Sequence, residues 1–273
     1  MTSITTHIYI VRSPAILYRF ILKVKGFSPL SVQSNALGKN PLISYTKTMN
    51  FHQIPIIAID GTSSSGKGTI AYKLAQHFGF NYLNSGALYR LVAYEALSSG
   101  IELDDTERLI NIAKNLEVTF KDKQVIINGD DIWPIIGTQT YGNPASIVSR
   151  IPEVRYALFE AQRNMIQSPG LVAEGRDMCT NVFKDARIKL YFDADPHVRA
   201  ERRFKDEETI KSGKTFEQIF DEIIMRDERD KNKDVGRLYP ADDALIVDST
   251  NLTREQVLDT CIAWCEEKGI ARV

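Results

Sequence analysis

One stretch limits the possible folds more than any other. It is the run Gly61-Thr62-Ser63-Ser64-Ser65-Gly66-Lys67-Gly68-Thr69, set between an apolar segment and an amphipathic one. Ile54 to Ile59 has the Ile-rich, unbroken apolar pattern of a buried parallel strand. Ile70, Leu74, Ala75 and Phe78 fall on one helical face, and Gly79 ends that helix. Strand, glycine-rich loop and helix in this order make a phosphate cradle. Glycines let the backbone approach phosphate oxygens, successive N–H groups form an anion nest, and the helix adds its positive end. Lys67 is expected to place a mobile cation on the β- and γ-phosphates of ATP, and the Thr69 hydroxyl is the expected ligand for Mg2+. Gly61 to Thr69 as a whole is expected to hold the nucleotide. Gly68 is a departure from the general motif, in which Ser or Thr follows the Lys directly.

Further along lies Asn84-Ser85-Gly86-Ala87-Leu88-Tyr89-Arg90, after a short extended piece from Phe80 to Leu83. The helical pattern that follows predicts Ser85 at an N-cap, which makes a second anion site, with Arg90 as a guanidinium fork. Taken alone, the run reads more simply as a plain cap beside a surface arginine. Leu171 to Ala173 reads as another strand, ending in Glu174, Arg176 and Asp177. Ligands of open α/β sheets sit beyond such strand ends, and three charges there suit a site better than a core. Ile188 to Phe192 is a third strand. Arg199, Arg202 and Arg203 follow on a helix, with Arg199 and Arg203 sharing a face. Lys205 to Gly213 has the polar look of a flap. Phe216, Ile219, Phe220, Ile223 and Ile224 mark a helix that runs into Arg226-Asp227-Glu228-Arg229-Asp230-Lys231-Asn232-Lys233, by itself an ordinary solvated end. Val118 to Phe120 and Val125 to Ile127 read as a strand pair. Ala244 to Val247 is the last strand. The last helix is expected from Arg254 to Lys268, capped by Thr253 with Gln256 at its third position.

Charge excludes one class of function. With 34 basic and 35 acidic residues the net charge is −1, which gives no electrostatic footprint for nucleic acid. The three cysteines lack metal-site spacing, and Cys261 and Cys265, four apart, are expected in the core. Residues 1–48 stand apart, because they contain no acidic residue and the first in the chain is Asp60. Three readings of this basic segment stand. It is an over-long start with Met49 as the initiator, a targeting segment, or a flexible extension. A weak amphipathic helix fits Pro14 to Lys25. The apolar stretch Ala15 to Val24 is too short to span a bilayer, which needs about 20 apolar residues.

In order, the motifs are IDGTSSSGKGT, NSGALYR, NPAS with IPEVR, EGRDMCT, RAERR, RDERDKNK and DALIVDST. From Ile54 to Ala271 this series resembles the bacterial-type cytidylate kinases, a branch of the P-loop nucleoside monophosphate kinases, to which the GKGT ending also belongs. The resemblance implies a three-layer α/β core around a parallel sheet, a small β-containing insertion near residues 115–145, and a helical lid near 196–215, all within 49–273. It implies phosphorylation of CMP and dCMP by ATP, in a cytoplasmic monomer that needs neither nucleic acid nor membrane. Ser85, Arg90 and Arg176 would grip the acceptor phosphate, and Ser146, Arg155 and Asp177 would read the cytosine edge. Arg226 and Asp230 would bind the ribose and stabilise the closed state. Arg199, Arg202 and Arg203 would close over the triphosphate, so Lys67, Arg176, Arg199, Arg203 and Arg226 are the expected catalytic cations. Two positions depart from the family pattern: Lys233, where Arg is usual, and Glu174, where Asp is common. No general base is expected, since the acceptor phosphate is already an anionic nucleophile.

Overall fold

In the computed structural model, residues 54–273 are described. The readings made above for residues 1–48, the helix at Pro14 to Lys25 among them, lie outside the described residues. In chain order the elements are β1 (Ile56–Gly61), α1 (Lys67–Phe78), β2 (Asn81–Asn84), α2 (Ser85–Ser98) and α3 (Thr106–Lys114). A small antiparallel sheet follows, made of β3 (Thr119–Lys121), β4 (Gln124–Ile127) and β5 (Asp130–Asp131). Next come α4 (Trp133–Ile136), a 3-10 turn (Gln139–Tyr141), α5 (Gly142–Val148) and α6 (Pro152–Arg163). The chain then forms β6 (Leu171–Glu174), a π-helical turn (Met178–Val182), β7 (Ile188–Asp193), α7 (Pro196–Phe204) and α8 (Glu207–Ser212). It finishes with α9 (Phe216–Asn232), β8 (Leu245–Asp248) and α10 (Arg254–Glu267).

The main sheet is parallel, in the order β2-β6-β1-β7-β8. β1 therefore sits at the centre, with β6 and β7 on opposite sides, and the loop leaving it opens at the point where the strand order reverses. Alternate β1 residues feed opposite layers. Ile56 and Ala58 pack with α2, α3 and α6 residues such as Leu88, Leu109 and Leu158. Ile57 and Ile59 pack with Leu74 and Phe78 of α1 and with Cys261 and Cys265 of α10. A separate small cluster, Ala200 with Ile219 and Ile223, joins α7 to α9.

Each expected strand exists, but the expected boundaries drift. β1 begins two residues after Ile54 and continues through Asp60 and Gly61, because β7 carries the ladder to the pairing of Gly61 with Phe192. A side chain at Gly61 would collide with the Phe192 carbonyl, so glycine is needed for that close pairing. The small sheet has a third strand, β5, that periodicity could not supply at two residues. Ser85 is not the cap of α2. Asn84 is, with its side chain accepting the Ala87 amide at 3.2 Å, and Ser85 is the first helical residue. Both Ser and Asn cap well, and the choice went to the residue still in extended conformation at the end of β2. Thr253 and Gln256 form the expected capping box of α10. Among the described residues no helix is long and apolar enough to cross a membrane.

Candidate active site

The loop after β1 is built to leave amides pointing at a ligand. Ser64 has φ 60 and Gly66, the cap of α1, has φ 86, so the chain doubles back and no side chain caps α1. Ser65 Oγ donates to the Thr62 carbonyl at 2.9 Å, and Thr62 Oγ1 donates to Asp193 at 3.0 Å, which fixes the loop from beneath. Lys67 Nζ turns back to the same Thr62 carbonyl at 3.2 Å.

A cavity of about 270 Å³ brings this loop together with the charged strand ends. Its lining includes Ser63, Ser64 and Lys67 from the loop, and Ser85 and Arg90 from α2. It also includes Ser146, Arg155, Arg176, Asp177, Arg203, Arg226 and Asp230. These residues come from six helices and two strand ends, yet they face one space. A second cavity of about 420 Å³ shares Ser64, Arg203 and Asp206 with the first, and is lined further by Thr69, Arg202, Ser249 and Arg254. The two therefore meet at the glycine-rich loop.

The first cavity is strongly cationic. Burial, with Arg176 and Arg226 nearby, lowers the Lys67 pKa to about 7, against the pull of Glu174 and Asp230. Burial lowers Arg226 to about 9, and Arg176, Arg90 and Arg203 add to the effect while Asp230 opposes it. Asp230 is the main counter-ion. Burial works to raise it, but Arg176, Lys233 and Arg226 together hold it down at about 2. Arg176 Nε donates to Asp230 at 2.8 Å, and Lys233 Nζ lies 3.6 Å from the other oxygen. Arg90 Nη1 donates to the carbonyls of Ile136, at 2.6 Å, and Thr138.

At the far end, Arg155 Nη2 donates to Asp177 Oδ2, which also accepts from Asn181 Nδ2 at 3.0 Å. Arg155 is further held by the Ser149 carbonyl at 3.1 Å and lies over the Tyr89 ring at 5.5 Å. Beneath this turn, Asp60 accepts from the amides of Met178 at 2.8 Å and Cys179 at 2.7 Å. Burial outweighs those bonds and raises Asp60 to about 6.

Some expected site residues lie elsewhere. Arg199 is 2% exposed and absent from both cavity linings. It donates to the Ala194 carbonyl at 2.9 Å, the Ser63 carbonyl at 3.1 Å and Asp227 Oδ2 at 2.6 Å. An arginine committed to three internal acceptors is held as a strut under the loop, outside both cavities. Arg202 donates to Ser249 Oγ at 3.0 Å and lines the second cavity. Thr69 opens to that cavity too, away from Ser85 and Arg90. Gly61 and Thr62 shape the loop from below. Gly68 faces Glu174, whose Oε1 lies 3.5 Å from where a side chain at Gly68 would begin. The charged end of α9 divides. Arg226, Asp230 and Lys233 line the cavity and Asp227 is buried, whereas Glu228 faces solvent, so it is not a plain solvated end.

Sequence reasoning missed Tyr89, Trp133, Gln139 and Asp206, all of which line the cavity. Tyr89 lies four residues after Ser85, one helical turn along the same face, and that spacing could have found it. Gln139 carried no signal at all.

Comparison with known proteins follows the same lines. The family model described as Cytidylate kinase matches residues 57–267. A cytidylate kinase of Aeromonas salmonicida is 43% identical over 218 residues, covering 78% of this chain and 95% of that protein. One from Pseudomonas aeruginosa strain LESB58 is 41% identical over 79% of this chain and 97% of its own length. One from Aliivibrio salmonicida is 40% identical over 81% of this chain and its whole length.

Proposed function

The chain belongs to the cytidylate kinase family, and on that premise we propose that it transfers the γ-phosphate of ATP to CMP and dCMP. The supporting observation is that Lys67 and the glycine-rich loop share one cavity with Ser85, Arg90 and Arg176. A donor and an acceptor phosphate held by these groups face each other across that space. The second cavity, at Thr69, Arg202 and Arg254, takes the nucleoside of ATP on the outer side of the loop.

The difficulty in this reaction is repulsion between two polyanions, and clustered cations offset it. In this reading Lys67 in the first cavity and Arg203 at the junction of the two neutralise the γ-phosphoryl group in flight. Ser85, Arg90 and Arg176 hold the acceptor phosphate in line. The acceptor oxygen is anionic, so no proton need be removed. Asp177, an acceptor-only group when ionised, suits the exocyclic amine of cytosine and leaves a uracil carbonyl facing a carboxylate. Arg155 and Ser146 complete that edge, while Arg226 and Asp230 reach the sugar.

The residues suit a magnesium ion that arrives with ATP. The donors along the loop are oxygens, the Glu174 carboxylate beside Gly68 in the first cavity and the Thr69 hydroxyl on the second, and Mg2+ prefers oxygen. Among the described residues no group of three His, Cys, Asp or Glu could hold a metal unaided, so substrate phosphates would complete the shell. When bound, the ion would supply charge neutralisation to the transferring polyphosphate. The longer Glu174 reaches over Gly68, where the usual hydroxyl is missing.

A coupled assay of ADP formation with ATP and a panel of CMP, dCMP, UMP, AMP and shikimate tests the reading. CMP and dCMP are expected to lead by at least about tenfold. Equal rates with UMP, or activity with shikimate alone, would overturn it.

A further inference from the structure

Two of the cavity's arginines are held by one short stretch of chain. The carbonyls of Ile136, which ends α4, and Thr138, just before the 3-10 turn, accept from Arg90 of α2. The side chain of the next residue, Gln139, accepts through Oε1 from Arg203 Nη2 of α7. The same arginine lies 3.6 Å from Glu222 of α9. Gly142 lies beside the same junction, and a side chain there would begin at ordinary contact distance, 3.5 Å from Arg90 Nη2 and 3.7 Å from Gln139 Oε1. The acceptor wall and the lid helix therefore meet at residues 136–139.

The chemistry of that contact matters. A neutral carbonyl or amide oxygen orients a guanidinium without cancelling its charge, whereas a carboxylate would do both. Arg203 touches both cavities, where donor and acceptor phosphates must meet. We propose that Gln139 is a positioning residue that ties Arg203 and helix α7 to the acceptor-side lobe, so that lid closure depends on that lobe. The inference rests on the kinase reading above. With the tie, the γ-phosphoryl bond to the β-phosphate bridging oxygen breaks toward the CMP phosphate oxygen. Without it, a water oxygen competes for the same phosphorus, releasing ADP, inorganic phosphate and a proton.

The test compares full-length wild type, Gln139→Ala and Gln139→Glu. The first readout is CDP and inorganic phosphate formed per ATP consumed. Gln139→Ala is expected to make CDP about tenfold more slowly, the usual effect of losing one hydrogen bond to a charged group, and to release more phosphate per CDP. Gln139→Glu keeps the tie but cancels charge on Arg203, so it is expected to raise the KM for ATP without raising phosphate per CDP. The second readout is a spin-label distance between Lys205→Cys on the lid and Asp130→Cys on the small sheet, in enzyme without nucleotide. It is expected to broaden in Gln139→Ala and to stay narrow in Gln139→Glu. An unchanged product ratio and an unchanged distance in Gln139→Ala would overturn the proposal. Wild type that makes no CDP would overturn the kinase reading instead, and the label distances would still decide whether Gln139 ties the lid.

Discussion

The charge on Lys67 should be set by what else occupies the cavity. With only the protein's own groups around it, burial and the nearby Arg176 and Arg226 bring it to about 7. At pH 6 about nine-tenths of such groups are charged, and at pH 9 about one in a hundred is. If only the charged form captures the triphosphate, kcat/KM for ATP should fall about 100-fold between those values. The kcat profile should hold to higher pH, because a bound polyphosphate within contact range favours the ammonium form. Stability should move the other way. The folded pKa lies below that of a free lysine, so the unfolded chain binds more protons above about pH 7, and stability from this group rises with pH until the unfolded lysine has titrated. The assay is a pH series of kcat/KM and kcat at saturating CMP, paired with carbon-13 NMR of lysine ε-carbons in the empty enzyme. Lys67→Arg identifies the signal by its loss. A flat kcat/KM profile from pH 6 to 9, or the same inflection in Lys67→Arg, would refute the assignment.

Three further outcomes follow from the geometry. Asp177→Ala should cut kcat/KM for CMP by about 10–150-fold and for UMP by much less, measured as competing rates, because cytosine presents an exocyclic amine to that carboxylate where uracil presents a carbonyl. Arg199→Met leaves the Asp227 carboxylate buried without its partner, and urea denaturation should show a loss of about 3–5 kcal/mol, whereas a loss below about 1 kcal/mol would mean the pair carries no weight. Asp60 has a folded pKa of about 6, above its ordinary 3.8, so the native state binds the extra proton between these values and wild-type stability falls as pH rises through that window. Asp60→Asn should remove that slope, read as the difference in Tm between pH 4.5 and 6.5.

What could be read from the chain in advance was whatever depends on local pattern. The strand, loop and helix at Ile56 to Phe78 follow from periodicity and glycine placement, as do the capping box at Thr253 and the burial of Cys261 and Cys265. The grouping of Arg90, Arg176 and Arg226 was available only through resemblance, since nothing local brings residues so distant in sequence to one cavity. Arg199 shows the limit. Its spacing to Arg203 correctly placed both on one face, but that face meets α9 and the loop at Ser63, and burial depends on partners that no helical period encodes. Gln139 was invisible for the same reason, because its importance lies in what crosses the cleft to meet it.

The holding groups sort the cationic side chains by the work proposed for them. Arg155 and Arg176 are tied to the carboxylates Asp177 and Asp230, so their positions are firm before any ligand arrives. That suits reading a base edge and seating one phosphate, tasks done before transfer. Lys67, Arg90 and Arg203 rest on neutral oxygens at Thr62, Ile136, Thr138 and Gln139. A phosphate oxygen competes well with a neutral acceptor and poorly with a carboxylate, since charge-assisted bonds are roughly twice as strong. These three can therefore move onto the transferring group as charge develops there, and return afterwards to those oxygens. Glu222, 3.6 Å from Arg203, is an ion-pair partner of this mobile set, and it lies on α9, whose motion with α7 would carry it along.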